Sequence, residues 1–161
     1  MQGRKLLHGG DYNPEQWLDR PDILAQDIEL MKKARVNTVT LGVFSWSVLE
    51  PEEGVFNLDW LADIIHDLYA NGICTILATP SAARPAWLAH KYPEVRRVRA
   101  DRVRELYNRR QNYCYTSPIY HEKVRIIDQK LAQRFGGDPA VIPHPPARHR
   151  AAALFPPAAG H

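Results

Sequence analysis

The stretch "NGICTILAT" (residues 71–79) constrains this chain most. Once past the Asn71-Gly72 stop it is a nearly all-apolar strand, and a strand without a polar face must be covered on both sides. That is the habit of parallel sheets, whose neighbouring strands need a crossover to connect them. The residues before it supply one: Leu58, Leu61, Ile64, Ile65 and Leu68 share one face of a helix predicted over 58–70. Upstream, "VNTVTLGVF" (36–44) has the β-branched density of a strand. It follows a second helical pattern over 21–35, acidic at its start (Asp22, Asp27) and basic in its last turn (Lys32, Lys33, Arg35). A first strand is expected at "KLLHGG" (5–10). A third helix is expected over 117–135, between a Ser117-Pro118 cap pair and Gly136-Gly137, and a fourth strand begins at "AVI" (140–142). The order is βαβαβαβ, the pattern of a parallel α/β fold.

Two architectures share that order. A doubly wound sheet carries phosphate-binding glycines after its first strand, but Gly9-Gly10 lacks the other glycines of a dinucleotide fingerprint. A (β/α)8 barrel builds its site from the loops after each strand, and here those loops are long and rich in polar and aromatic residues: "DYNPEQW", "FSWSVLEPEEG" and the stretch from residue 80 to 116. The barrel is the better fit. Closing one takes about 250 residues and eight strands, whereas this order supplies three strands and the start of a fourth. The expected fold is therefore α/β, a partial TIM (β/α)8 barrel of about three and a half βα units. It occupies residues 1–142, and an irregular, disordered Pro/Ala-rich tail follows at 143–161.

Composition narrows the function classes. No window approaches the eighteen apolar residues of a membrane span and the N-terminus lacks an apolar signal-peptide core, so the expectation is a cytoplasmic chain with no membrane partner. The net charge of +3 is concentrated in residues 96–110, which hold seven arginines against Asp101 and Glu105. Clustered guanidiniums attract phosphate, but no RNA- or DNA-binding motif accompanies them, and no nucleic-acid partner is expected. Cys74, inside an apolar run, reads as an inert buried thiol, and two cysteines are too few for a disulfide framework.

Tyr12, Asn13, Glu15, Trp17, Trp46 and Trp87 all fall just past expected strands. Rings that pack on sugar C–H faces, beside amides and carboxylates that bind hydroxyls, suit a carbohydrate site. The bland reading is that the tryptophans cap the fold and that Glu15 and Glu50 are solvated loop acids. "EPEEG" reads as a rim turn, so Glu50 and Glu52 receive no catalytic role. His8, His66, His90 and His121 have no metal-ligand spacing and receive no role.

Four segments carry a more specific likeness: "HGGDYNPEQW" (8–17), "GVFSWSVLEPEEGVFNLDWLAD" (42–63), "ATPSAARPAWLAHKYPEVRRV" (78–98) and "RRQNYCYTSPIYHEKV" (109–124). Together they resemble successive parts of the catalytic barrel of glycoside hydrolase family 42 β-galactosidases. The resemblance implies hydrolysis of terminal β-D-galactosides with retention, by two glutamates about 5–5.5 Å apart. One protonates the leaving oxygen and then activates water, and the other attacks the anomeric carbon. It also implies that Arg110 matches the arginine that holds galactose, although spacing alone does not separate Arg110 from Arg109. Cys114 matches a zinc ligand of many members. The family's other zinc cysteines have no counterpart here, so zinc is not expected to bind this chain and no cofactor is required.

In the family the acid/base glutamate follows an asparagine at the end of the fourth strand. Counted without a gap, Arg148 and His149 stand at those two positions, after Pro143, Pro145 and Pro146, which would break a central strand. The nucleophile lies later in the barrel. With both glutamates absent, the chain is expected to be inactive alone, a family 42 product truncated or frameshifted after Ile142, with oligomers reserved for the full-length protein. The alternative is a non-catalytic carbohydrate-binding fragment.

Overall fold

The computed structural model describes residues 6–106, 111 and 113–142. At its centre β1 (Thr38–Leu41) and β2 (Cys74–Leu77) run parallel, with Thr38 opposite Cys74 and Leu41 opposite Leu77. The ladder extends by one bridge on each side. Asp11 pairs with Thr40, supported by Thr40 N–H to Gly10 O (3.0 Å) and Tyr12 N–H to Thr40 O (2.9 Å). Val141 pairs with Thr75, supported by Thr75 N–H to Ala140 O (2.9 Å) and Ile142 N–H to Thr75 O (2.8 Å). Four chain segments therefore lie side by side, all parallel and in sequence order. The first pairs over residues 8–12, slightly later than the predicted 5–10, because its hydrogen bonds begin at His8 O.

Helices make the crossovers. α1 (Pro21–Lys33) leads into β1, α2 (Trp46–Leu49) and α3 (Asp59–Ala70) join β1 to β2, and α4 (Ala86–Lys91) and α5 (Pro118–Phe135) join β2 to the last paired segment. The caps follow the predicted chemistry. Ser117 Oγ accepts the Tyr120 N–H at 3.3 Å, with Pro118 as the first helical residue of α5. α3 ends where Gly72, at φ +78°, lets its own N–H reach Tyr69 O and the Ile73 N–H reach Leu68 O. That pair of hydrogen bonds closes the helix by the left-handed route that glycine adopts without steric cost.

The register sorts the strand side chains into two faces. Val39, Leu41 and Thr75 are all but sealed on one face, where Leu77 is partly covered; on the opposite face Thr40, Cys74 and Ile76 are partly covered and Thr38 is buried. The sealed side chains join one apolar cluster with Leu61, Ile65 and Leu68 of α3 and Ile127, Leu131 and Phe135 of α5. Removing each such side chain from water is worth about 1.5–3 kcal/mol.

Strands β1 and β2 are shorter than the predicted 36–44 and 73–79. β1 stops because Gly42, at φ +89°, turns the chain out of the sheet. The stretch after β2, predicted as a long loop, holds a 3-10 turn at Pro80–Ala82, helix α4 and a second 3-10 turn at Pro93–Val95.

Candidate functional site

The loops after β1 and β2 are held together by the turn that the sequence offers as a solvated rim. Glu50 is 2% exposed. Its Oε2 accepts the indole N–H of Trp46 at 2.8 Å, its Oε1 accepts the Gly54 N–H at 2.9 Å, and its backbone O accepts the indole N–H of Trp87 at 2.8 Å. The turn prediction holds at Glu52, which is exposed and bridges to Val55, but the solvated acid at position 50 is corrected to a buried one. A charged carboxylate tolerates burial when both oxygens receive N–H donors. Trp46 at i−4 on a short helical turn is the sequence signal that could have revealed it.

Glu53 turns the other way and ties the same loop to α4 and α5. It meets Lys91 at 3.0 Å, the Tyr92 hydroxyl at 2.9 Å, and Lys123. The hydrogen bond from Lys123, then that from Lys91, hold its carboxyl down at about 2.

The six residues grouped by the sequence do not face one another. Trp46 is wholly buried and offers no ring to a ligand, Trp87 joins it around Glu50, and Trp17 stands 42% exposed. Tyr12 turns back to α1, where its hydroxyl donates to Asp27 at 3.2 Å; burial, with Asp27 adding, pushes the phenol upward. Asn13 Oδ1 and Glu15 Oε2 are buried and have no hydrogen-bond partner among the described residues.

A cavity of about 320 Å³ does open between the end of β2 and α5, where Thr79, Ser81, Tyr113, Tyr120, His121 and Asp128 meet. Its aromatic wall is ordered by stacking: Tyr113 lies on Tyr120 with centroids 4.1 Å apart and meets Tyr115 edge-on at 5.1 Å. The Tyr120 hydroxyl donates to Ser81 O. Asp128 is the one acid here. Its Oδ1 is buried with no hydrogen-bond partner among the described residues, and burial raises the carboxyl to about 6.

Arg110, the sugar-binding candidate, lies outside the described residues, as do Arg148 and His149 and the whole tail from 143. Cys114 is half-buried in the loop before α5, with Sγ 3.3 Å from Thr116 Oγ1; that hydrogen bond lowers the thiol. Among the described residues no three histidine, cysteine or acidic side chains converge. One thiol without companions does not fit a four-ligand zinc site. Two of the described arginines of the basic run, both exposed, bond within their own loop: Arg99 pairs with Asp101 at 2.8 Å, and Arg104 donates to Pro93 O at 2.7 Å across a Val98–Arg104 bridge. No helix among the described residues is long and apolar enough to cross a membrane.

Residues 11–144 match the family model described as β-galactosidase, glycoside hydrolase family 42. The chain belongs to that family. Family 42 membership is borne out by β-galactosidase GalA of Bacillus licheniformis, 59% identical over 137 residues, and β-galactosidase Pbg of Clostridium perfringens, 57% identical over 138. These matches take in 85% and 86% of this chain and 20% of each relative. Among solved structures, the β-galactosidase from Rahnella sp. R3 superposes with a TM-score of 0.84 at 54% identity, covering 88% of this chain and 21% of that one. The family 42 chain described here thus spans about a fifth of the length of the relatives it matches.

Proposed function

We propose that residues 1–142 are the opening portion of a family 42 β-galactosidase barrel, about three and a half βα units, and that the 161-residue chain by itself hydrolyses nothing. The observation that supports this most is the pairing order, four parallel segments side by side in chain order with a helix in each crossover. A (β/α)8 barrel is built by repeating that step.

On this reading the intact enzyme cleaves terminal β-D-galactosides with retention, through two carboxyl groups set across the sugar. The described residues contribute the floor and two walls. Glu50 is unsuited to attack or to proton transfer because both of its oxygens already accept N–H donors. Asp128 belongs to the crossover helix α5 and not to a strand end or the loop after one, the positions that carry catalysis in such barrels. Arg110 is assigned to the galactose hydroxyls, which a planar fork of donors suits. Cys114 is a free thiol in this chain and no cofactor takes part. The protein is cytoplasmic, its substrate a small galactoside, and assembly into oligomers belongs to the full-length enzyme. A separate carbohydrate-binding role gains no support from Trp46, which is buried, or from Trp87, whose indole N–H is held by Glu50 O.

The test is hydrolysis of a chromogenic β-galactoside by the purified chain. The expected result is a rate equal to the blank, with no heat on titration with galactose. Turnover that disappears in Arg110→Ala would overturn the inactivity, and galactose binding without turnover would favour the carbohydrate-binding reading.

A further inference from the structure

The half-buried carboxyl of Asp128, whose Oδ1 is sealed with no partner among the described residues, has the setting of half an ion pair. It stands midway along α5, and it lines both the 320 Å³ cavity towards β2 and a second, more open cavity of about 540 Å³ that it shares with His121, Val124 and Arg125. Every basic side chain on α5 that could serve it is engaged elsewhere. Lys123 meets Glu53, Arg125 forks onto Glu122 (2.8 and 3.1 Å) and reaches Gln129, Lys130 lies over Phe56 at 5.2 Å, and Arg134 faces Asp59 at 3.7 Å. The His121 ring is held at Tyr115 O, and the Tyr120 hydroxyl at Ser81 O. A buried acid left in this state costs free energy, and native proteins satisfy such groups.

The position of the site says what is missing. The 140–142 segment is the outermost paired strand of the sheet on this side, joined to β2 through the single bridge at Val141. The first-named relatives carry about four-fifths of their length outside the matched portion. In a sheet that grows one parallel strand at a time, the next βα unit packs beside this strand and its helix against α5.

We infer that Asp128 is a docking point for a cationic side chain carried by the βα unit that follows this portion in family 42 chains. The inference rests on the barrel reading above. It names the contact through which the remainder of the barrel is recognised. The carboxyl supplies two acceptor oxygens, one of them sealed, the tyrosines cover one side, and an incoming guanidinium or ammonium completes a pair whose removal leaves that sealed oxygen unpaired.

The experiment co-expresses the 161-residue chain with the rest of the GalA polypeptide from Bacillus licheniformis and measures the dissociation constant of the purified pair, for the wild type, Asp128→Leu and Asp128→Asn. Circular dichroism melts of each chain alone serve as the folding control. The expected result is a complex weakened tenfold or more by both substitutions, whereas Asp128→Leu alone melts about 5 °C higher than the wild type because it removes an unsatisfied acid. Binding unchanged in both variants would overturn the inference and leave the barrel reading intact. Binding retained by Asp128→Asn alone would mean a neutral donor and overturn the cationic occupant. A dimer of this chain dispersed by Asp128→Leu would identify a second copy as the occupant instead. Failure of the wild type to bind the GalA remainder would overturn both readings.

Discussion

α1 and α3 are written to one plan and end up in different circumstances. Each follows a loop at the end of a parallel strand, starts with an acid in its first turn and carries apolar residues at helical spacing, and each closes with the same pair of backbone bonds. Yet α3 buries Leu61, Ala62, Ile64, Ile65 and Leu68, while α1 buries none of its residues fully. The difference is one of neighbours. α3 crosses between two paired strands and joins the central apolar cluster, whereas α1 serves the outer segment and faces α3 across a groove of about 380 Å³ lined by Leu24, Ile28, Ile64 and Leu68. An amphipathic pattern states which face a helix wants to bury; the number of elements around it decides whether that happens.

The largest effects should separate the two helices. Ile65→Ala, at a fully buried position, is expected to cost 2–5 kcal/mol, and Ile28→Ala about 1 kcal/mol or less, by urea unfolding followed with circular dichroism. Equal losses would break the comparison. Next comes the loop joined to α3. Glu50→Gln keeps the size but turns an amide NH2 towards one of two N–H donors, so roughly 1–3 kcal/mol should be lost in the same assay. A silent Glu50→Gln would mean that the inward glutamate does not fasten the loops.

A pH titration of stability sharpens the contrast at α5. Asp128 has a folded pKa of about 6, above its unfolded value, so its contribution is fully present below about pH 4 and is lost as the pH rises through 6. Part of the group is open to solvent, so the loss is on the order of 1 kcal/mol. Tyr113, Tyr120 and His121 line its cavity, and Glu122 and Arg125 flank it on the helix. Glu53 works in the opposite direction: with a folded pKa of about 2, its stabilisation is present above about pH 4 and falls away as the pH drops through 2. Thermal melts from pH 2 to 8 should show a maximum near pH 4 to 5, and Asp128→Asn should flatten the side above pH 4. An unchanged slope there would remove the burial of Asp128 from the account.

The smallest effect concerns the helix ends. The residue that closes α3 is Gly72, at φ +78°, but the corresponding residue of α1 is Arg35, at φ +58°. Arg35→Gly should gain about 0.5–1 kcal/mol and Gly72→Ala should lose about 1 kcal/mol in urea unfolding. The opposite signs would show that the two closures are not equivalent.

Much of this was legible in the sequence. Helices α1, α3 and α5 lie within two residues of their expected ends, because Pro21, Asn71-Gly72 and the Ser117-Pro118 pair act locally. The parallel order followed from the apolar 73–79 strand and its crossovers. α2 and α4 were not legible: four and six residues are too few to show a period, and long-range contacts such as Trp87 to Glu50 hold them. Glu50 itself was misread, since an acid in a run of turn residues looks solvated until its partners Trp46, Gly54 and Trp87 are brought around it. Asp128 carries no sequence signal, because an acid at a helical position does not reveal which neighbours leave it unpaired.

The burial pattern implies that order spreads outward from the unit formed by β1, α3 and β2. Native-state amide hydrogen exchange tests it most directly. The account predicts that amides of α3, together with Thr75 N–H on Ala140 O, exchange at least a hundredfold more slowly than those of α1. Equal protection of α1 and α3, or an unprotected Thr75 amide, would contradict it.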